Sequence, residues 1–375
     1  MAQDTLNQAH KQWASRPDDE RFTSLTSMAD ALAAIRRRSK AATVPSRAIH
    51  AAPTPDEAGL LVVGPDGNPV DLTHWSFGQL TQRAGAPAGY LRTLPPPLVA
   101  DCINVGLAQR PVEDLGVLLH GGALGGPDTT SFPSLAAVTG PAYGRVWNVD
   151  VVVALATRFG DGVTGHFRVP GIRGTALAEV TKENTTLYAG DRDMFVFLAD
   201  EDRRIEVTNR RDGQPGSLAR GFFVWNSEVG SATFGVATFL FDFVCQNRIV
   251  WGADEYREIR IRHTSGAPER WIGEVAPALE RYASSSDASV VNALTEARRT
   301  KLGDGTPDEV RKVLEARFTK SQAGAVLTAH MLEEHRPIET LWDAAVGVSA
   351  YARGITYQND RVALEREAGR LMAGR

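Results

Sequence analysis

Asn226, Ser227 and Glu228 stand side by side at the end of the apolar run Arg220-Gly221-Phe222-Phe223-Val224-Trp225, directly before Val229 and Gly230. A second polar group, Cys245-Gln246-Asn247-Arg248, interrupts the apolar passage that ends at Trp251. Polar side chains in such surroundings cost free energy unless each finds a hydrogen-bond partner. Two uses follow: a pocket that binds or transforms a small ligand, or a junction where the groups satisfy one another. A Ser227–Glu228 dyad would need a bulge, because neighbours on a strand point to opposite faces. No base and nucleophile are paired at a workable spacing, so no catalytic residue is assigned. Asn226, Ser227, Glu228, Gly230, Cys245 and Asn247 are expected to form a structural signature at a junction of the sheet.

Cations supply the other chemistry. Arg257, Arg260, Arg262 and His263, with Arg248 upstream and Arg298, Arg299 and Lys301 downstream, make the densest basic region of the body. On an extended strand Glu258, Arg260 and Arg262 share one face while Ile259 and Ile261 take the other. Such a stripe can track phosphates, and Trp251, Tyr256 and Trp271 are near enough in sequence to add base stacking. Arg248, Arg257, Arg260 and Arg262 are expected on the phosphate path, with Arg299 and Lys301 as the next candidates.

Other motifs read more plainly. Gly160-Asp161-Gly162-Val163-Thr164-Gly165 has the glycine spacing of a dinucleotide loop. A short strand and turn, rather than a helix, follow it, so a turn is expected. No P-loop occurs, and His120-Gly121-Gly122 lacks the serine elbow that an esterase needs. His330 and His335, five apart beside Glu333 and Glu334, diverge around a helix and are expected on a solvated charged face. Asp191 and Asp193, and Asp200 to Asp202, flank the apolar strand Met194 to Leu198. They could hold a divalent cation, but acids at hairpin ends are expected there. No metal and no cofactor are expected.

A chain of 375 residues, 43% of them apolar, can bury a substantial core. No apolar run is long enough to cross a bilayer, and Met1-Ala2-Gln3-Asp4 lacks the start of a signal peptide, so a cytoplasmic setting is expected. Two cysteines, Cys102 and Cys245, exclude a disulfide framework or zinc ribbon and read as buried thiols. The net charge of −4 excludes a uniformly basic coat yet allows a local basic groove.

The elements that must position these groups alternate along the chain. A capped helix starts at Ser27 to Asp30, and Ala41 to Asp56 reads as a mobile connector. A hairpin spans Leu60 to Leu72, with helices at Trp75 to Leu80 and Leu98 to Leu107. Short strands are expected at Val117 to Leu119, Leu135 to Val138, Phe167 to Val169, Met194 to Leu198 and Ile205 to Val207. A buried helix is expected at Val149 to Phe159, two or more strands between Phe222 and Val250, and a strand from Arg257 to Arg262. Helical periodicity holds from Trp271 to Leu371. The fold class is therefore α+β, a mixed, mainly antiparallel sheet with helices packed on it and a helical C-terminal region. Its parts are an N-terminal helix and arm (1–45), an α+β core (46–265) and the helical region (266–375).

Asn226-Ser227-Glu228-Val229-Gly230, Val244 to Gly252, and Gly190-Asp191-Arg192-Asp193-Met194-Phe195 together resemble a phage- and plasmid-associated family carrying a domain of unknown function. The resemblance covers Leu115 to Trp251 and, more loosely, the flanks. It transfers no catalytic residues and implies a mobile-element setting. The build of sheet, helices and helical tail is similar to that of ring-forming single-strand annealing proteins. A non-enzymatic, homo-oligomeric protein that binds nucleic acid, single-stranded DNA above all, is the leading expectation. An enzyme or ligand-binding protein using Asn226, Ser227, Glu228 and Asn247, with a cation on Asp191 and Asp193, is the alternative; a structural or host-interaction role is a third.

Overall fold

Backbone pairing sorts the strands into two sheets, where one was expected. The computed structural model describes residues 17–121, 133–169, 180–183, 185–242, 248–249, 258–355 and 358–374. The chain starts in the larger sheet with β1 (Arg21–Phe22) and turns into α1 (Leu25–Arg37), whose N-cap Ser24 accepts from the Ser27 amide at 3.1 Å. It then leaves for the smaller sheet.

That sheet contains β2 (Ser39–Pro45), β3 (His50–Pro53), β4 (Leu60–Val63), β5 (Pro69–Leu72), β6 (Asp114–His120) and β7 (Ser134–Thr139), in the order β2-β6-β7-β5-β4-β3. β5 and β7 run parallel and the other neighbours antiparallel, so this sheet is mixed. The helices α2 (His74–Ala84), α3 (Ala88–Leu91) and α4 (Pro96–Gln109) bury Leu80, Leu91, Val99 and Ile103 against it. Prolines at the start of α4 fit the first helical turn, where no amide donor is needed. The expected connector over Ala41 to Asp56 is corrected: β2 and β3 occupy most of it. Lys40, Ala42 and Val44 pair with Leu119, Val117 and Leu115, and that two-residue repeat outweighs a turn-like composition.

After α5 (Asn148–Phe159) the chain returns to the larger sheet with β8 (Phe167–Arg168), β9 (Leu187–Ala189), β10 (Met194–Val207), β11 (Gly216–Asn226), β12 (Phe234–Asp242), β13 (Arg248–Ile249) and β14 (Glu258–Ile261). Its order is β1-β9-β10-β11-β12-β13, with β8 against β10 and β14 against β12, all antiparallel. The two strands expected at 194–198 and 205–207 are one long β10 with a register shift between Ala199 and Arg204. One face of this sheet, carrying Met194, Val196, Phe222, Val224, Phe234 and Ile261, buries Leu25 and Met28 of α1 and Val151, Val152 and Leu155 of α5. The other face is aromatic, with Phe197, Phe223, Trp225, Phe239 and Phe241. Two cross-strand pairs there set a ring over a glycine. A Cβ on Gly235 would lie 2.0 Å from the Trp225 ring, and one on Gly221 would lie 2.5 Å from Phe239.

The C-terminal region is helical, as α6 (Ala267–Arg270), a π-helical turn at Trp271–Val275, α7 (Ala276–Ser284), α8 (Ala288–Arg299), α9 (Pro307–Glu315), α10 (Lys320–Glu334), α11 (Leu341–Arg353) and α12 (Gln358–Met372). Thr319 and Thr340 close capping boxes on α10 and α11. Two buried arginines bolt this region to the sheet. Arg210 lies 2.5 Å from Glu334 and 2.7 Å from Asp242, all three almost fully buried, with the guanidinium 5.2 Å from the Trp342 ring. Arg220 donates to the carbonyls of Tyr282 and Ser285 and to Ser285 Oγ, and stands 2.7 Å from Asp287.

Three expectations change here. The solvated face expected at His330 to His335 is half core: Glu334 neutralises Arg210, and His330 is fully buried beside Asp343 at 3.9 Å. Burial lowers the His330 pKa to about 4, so the ring is neutral. Trp271 cannot stack on a base, because it is buried against Phe234 with ring centroids 4.8 Å apart. Cys102 is exposed on α4 rather than buried; Cys245 lies outside the described residues.

Candidate functional site

The connection from β11 to β12, residues 227–233, sits where the two sheets meet. Asn226, the last residue of β11, is fully buried and donates from Nδ2 to the Val146 carbonyl at 2.7 Å and to Asn148 Oδ1 at 2.8 Å. Ser227 Oγ donates to the Arg192 carbonyl at 2.6 Å and accepts from the amides of Val229 and Ser231. That hydroxyl is committed to shaping the turn and is not held as a nucleophile. Gly230 has φ +81°, a region that favours glycine, and reverses the chain toward β12.

Three successive carbonyls of this loop are taken by side chains from the other half of the molecule. Tyr143 Oη donates to Ser227 O at 2.7 Å, and Arg145 donates to Glu228 O. Trp75 Nε1 and Gln79 Nε2 donate to Val229 O at 3.0 and 2.8 Å. Gln79 also accepts from the Val138 amide at 2.8 Å, so a single side chain ties α2, β7 and the loop together. Tyr143, Arg145 and Trp147 alternate along an extended segment. The Arg145 guanidinium lies 5.2 Å from the Tyr143 ring and 5.7 Å from that of Trp147, and Arg36 covers Trp147 at 3.8 Å.

The Glu228 carboxylate faces the N-terminus of α5. Its Oε1 accepts from the Asn148 amide at 2.6 Å, where the N-cap residue Trp147 has no side-chain acceptor to offer. An acid suits the positive end of a helix. Burial nonetheless dominates and raises the Glu228 pKa from 4.5 to about 7, against the opposing pull of the Asn148 N–H and of Arg145 and Arg36. The side chain lines a cleft of about 300 Å³ together with Glu20, Arg38, His120, Asp191 and Arg192. His120 Nδ1 is 2.8 Å from Ser39 Oγ, and burial, with Arg145 and Arg38, lowers its pKa to about 4. The cleft therefore holds one group that changes charge near neutrality and a neutral imidazole, among two arginines and the carboxylates of Asp19, Glu20 and Asp191. Such a group can exchange a proton with a ligand.

The structure distributes the sequence-derived residues unevenly. Asn226, Ser227, Glu228 and Gly230 come together at the junction; Cys245 and Asn247 lie outside the described residues, as do Arg257, Trp251 and Tyr256. Arg260 and Arg262 are exposed on and just after β14, and Arg260 is 5.8 Å from the Trp225 ring. Arg248 is on β13, along the same edge of β12 but six residues of that strand away, about 20 Å. Arg299 and Lys301 lie at the far end of the sheet, where the neighbouring Arg298 donates to Thr208 O. The cations form a spread-out track and not one cluster. Asp191 stands 3.9 Å from Arg192, and among the described residues no group of three or more His, Cys, Asp or Glu could hold a metal ion. The loop at Gly160 to Gly165 is a turn closed by Asp161, which accepts from the amides of Val163 and Thr164. Trp75, Gln79, His120 and Arg192 carry no local mark of the junction, because nothing in sequence spacing links them to Glu228. Beyond residues 226–228 themselves, the alternation of Tyr143, Arg145 and Trp147 is a signal that could have pointed to it.

A family model described as a domain of unknown function (DUF932) matches residues 177–368, just over half of the chain, and the chain belongs to that family. Neither a curated protein nor a solved structure matches it.

Proposed function

We propose that this member of the DUF932 family is a non-enzymatic nucleic-acid-binding protein of a phage or plasmid, acting in the cytoplasm as a homo-oligomer, with single-stranded DNA as the first ligand to test. The observation that carries the reading is the exposed pair Arg260 and Arg262 at the edge of the larger sheet. Ile261 between them is fully buried, so the strand is anchored while its cations face outward. Arg248 continues the same edge, and Arg299 and Lys301 extend the basic character toward α8. Cations at intervals suit a polyanion whose charges are themselves spaced, and each phosphate neutralised releases condensed counterions. Among the described residues no helix is long and apolar enough to cross a membrane.

The test is oligonucleotide binding by the full chain at two salt concentrations. Arg260→Glu with Arg262→Glu is expected to weaken binding to single-stranded DNA at least tenfold at low salt. The same pair should reduce the slope of log K against log salt by about 0.7 for every phosphate that is no longer neutralised. Binding unchanged by the pair removes the proposed edge. Failure of the parent to bind in a salt-dependent way removes the reading.

A second reading rests on a separate observation, the Glu228 carboxyl with a pKa near 7 in a cleft beside His120 and Arg192. It makes the protein a small-ligand binder or an enzyme that moves a proton at Glu228. A thermal-shift screen with nucleotides and divalent ions separates the two, since ligands of the native state raise the melting temperature.

A further inference from the structure

The smaller sheet borders a partly open cavity that neither the junction nor the cationic edge uses. Its volume is about 170 Å³, and its walls are the aliphatic side chains of Ala42, Val62, Val70, Val117, Leu119 and Leu135. They come from β2, β4, β5, β6 and β7, so the cavity lies on the sheet itself, beside the ground that α2 and α4 cover. Native cores contain few voids larger than a water molecule. An apolar cavity of about 150 Å³ lined by aliphatic and aromatic residues stays dry and takes up benzene. Water gains little here, because the inner walls offer no polar partner.

Polar groups gather at the mouth alone. Lys40 is exposed on β2 and pairs with Leu119, and the turn between β4 and β5 brings Asp66 and Asn68 to the same rim. Asp66 Oδ1 accepts from the Asn68 amide at 3.2 Å, and these bonds to Asn68, with the charge of Lys40 nearby, hold its carboxyl below the usual range, so an anionic ligand has to compete with Asp66 for the lysine. The lysine stem can lie along the apolar wall while its ammonium stays at the opening. The cavity thus has an aliphatic interior, with the Lys40 ammonium and the Asp66 carboxylate at its entrance.

We propose that this cavity is a binding site for a small apolar ring or short chain bearing one anionic group, the apolar part seated within the sheet and the anion against Lys40 Nζ. The site is independent of the cationic edge and of Glu228, so it stands or falls separately from the function proposed above.

The test uses the full chain with hexanoate and toluene as probes, read by thermal shift and by titration calorimetry. Hexanoate is expected to raise the melting temperature saturably, by about 3 °C at a hundredfold excess over its Kd. Lys40→Met is expected to weaken hexanoate about fivefold, the order of one exposed ion pair, and to leave toluene unchanged. Ala42→Leu, which fills the cavity, is expected to abolish both responses; Val70→Ile narrows it from another wall and serves if the first variant does not fold. Absence of a saturable response to hexanoate overturns the proposal. So does a response that persists undiminished in folded Ala42→Leu or Val70→Ile protein, or one that Lys40→Met does not alter.

Discussion

Two junctions hold this molecule together, and they are built from opposite materials. Where the sheets meet, the carbonyls of Ser227, Glu228 and Val229 are caught by Tyr143, Arg145, Trp75 and Gln79, and the one carboxylate changes charge near neutrality. Where the helical region meets the larger sheet, permanently charged Arg210 and Arg220 sit in the core, Arg210 between two buried acids. The first junction borders a cleft and depends on pH. The second is sealed, and breaking it strands a charge. A chain can thus join its layers by carbonyl capture where solvent and ligands still reach, and by ion pairing where nothing must enter.

The largest expected effect tests the sealed junction. Arg210→Met leaves Asp242 and Glu334 buried without their cation and is expected to cost about 3–5 kcal/mol in urea unfolding. Changing all three to apolar residues, Arg210→Met with Asp242→Leu and Glu334→Leu, is expected to restore most of that loss. A cost for Arg210→Met no greater than that of an exposed arginine would erase the contrast between the junctions.

The next effect sharpens the open junction. A carboxyl whose pKa is higher folded than unfolded keeps, in the folded state, a proton that the unfolded chain has released. The contribution of Glu228 to stability is therefore full below about pH 4.5, falls as pH rises to about 7, and is level above that. Glu228→Gln keeps an acceptor for the Asn148 amide and cannot ionise. It is expected to match the parent near pH 4 and to exceed it by about 2 kcal/mol at pH 8, a value reduced from the full shift because the side chain lines a cleft. Parallel melting curves for the two proteins from pH 5 to pH 8 would show that the carboxyl does not titrate in this range.

The smallest effect separates redundancy from necessity. Val229 O accepts from both Trp75 and Gln79, so Trp75→Phe removes one of two donors and is expected to cost about 1 kcal/mol. Chemical denaturation of the single variant and of Trp75→Phe with Gln79→Ala is the measurement. The double should cost more than the sum, because only then is the carbonyl left without either partner. Strict additivity would mean that the two donors do not share one acceptor.

Much of this architecture is written locally. Continuous apolar runs mark β11 and β12, clean alternation marks β14, helical spacing marks α5 and the region beyond Ala267, and the polar residues at 226–228 announce a junction. The division into two sheets is not written locally, since alternation says which residues share a face and not which strand lies beside which. β2 hides in a stretch of alanine, threonine and proline because its partner β6 supplies the bulk. Arg210 stands in the polar turn Asn209-Arg210-Arg211-Asp212 and looks like any surface arginine; its partner Glu334 comes 124 residues later. His330 is concealed the same way, by the charged run Glu333 to His335, although Glu334, one turn on, is buried on the same side of α10. The cleft at Glu228 draws on separate stretches of the chain from Glu20 to Val229, and no spacing rule reaches across them.

The crossing of the chain between the sheets bears on what kind of unit the family segment is. Residues 177–368 include β9 to β14 and most of the helical region, yet the face bearing Phe222, Val224 and Phe234 is closed by Leu25 and Met28 of α1 and by Val151, Val152 and Leu155 of α5. β1, which edges the sheet beyond β9, also lies outside the segment. A fragment cut at those limits would present a strand meander with an apolar side open to water and an unprotected edge, a template for aggregation. The stretch that the family model matches therefore does not contain the elements that close its own core, and the packing of its sheet extends back to Arg21.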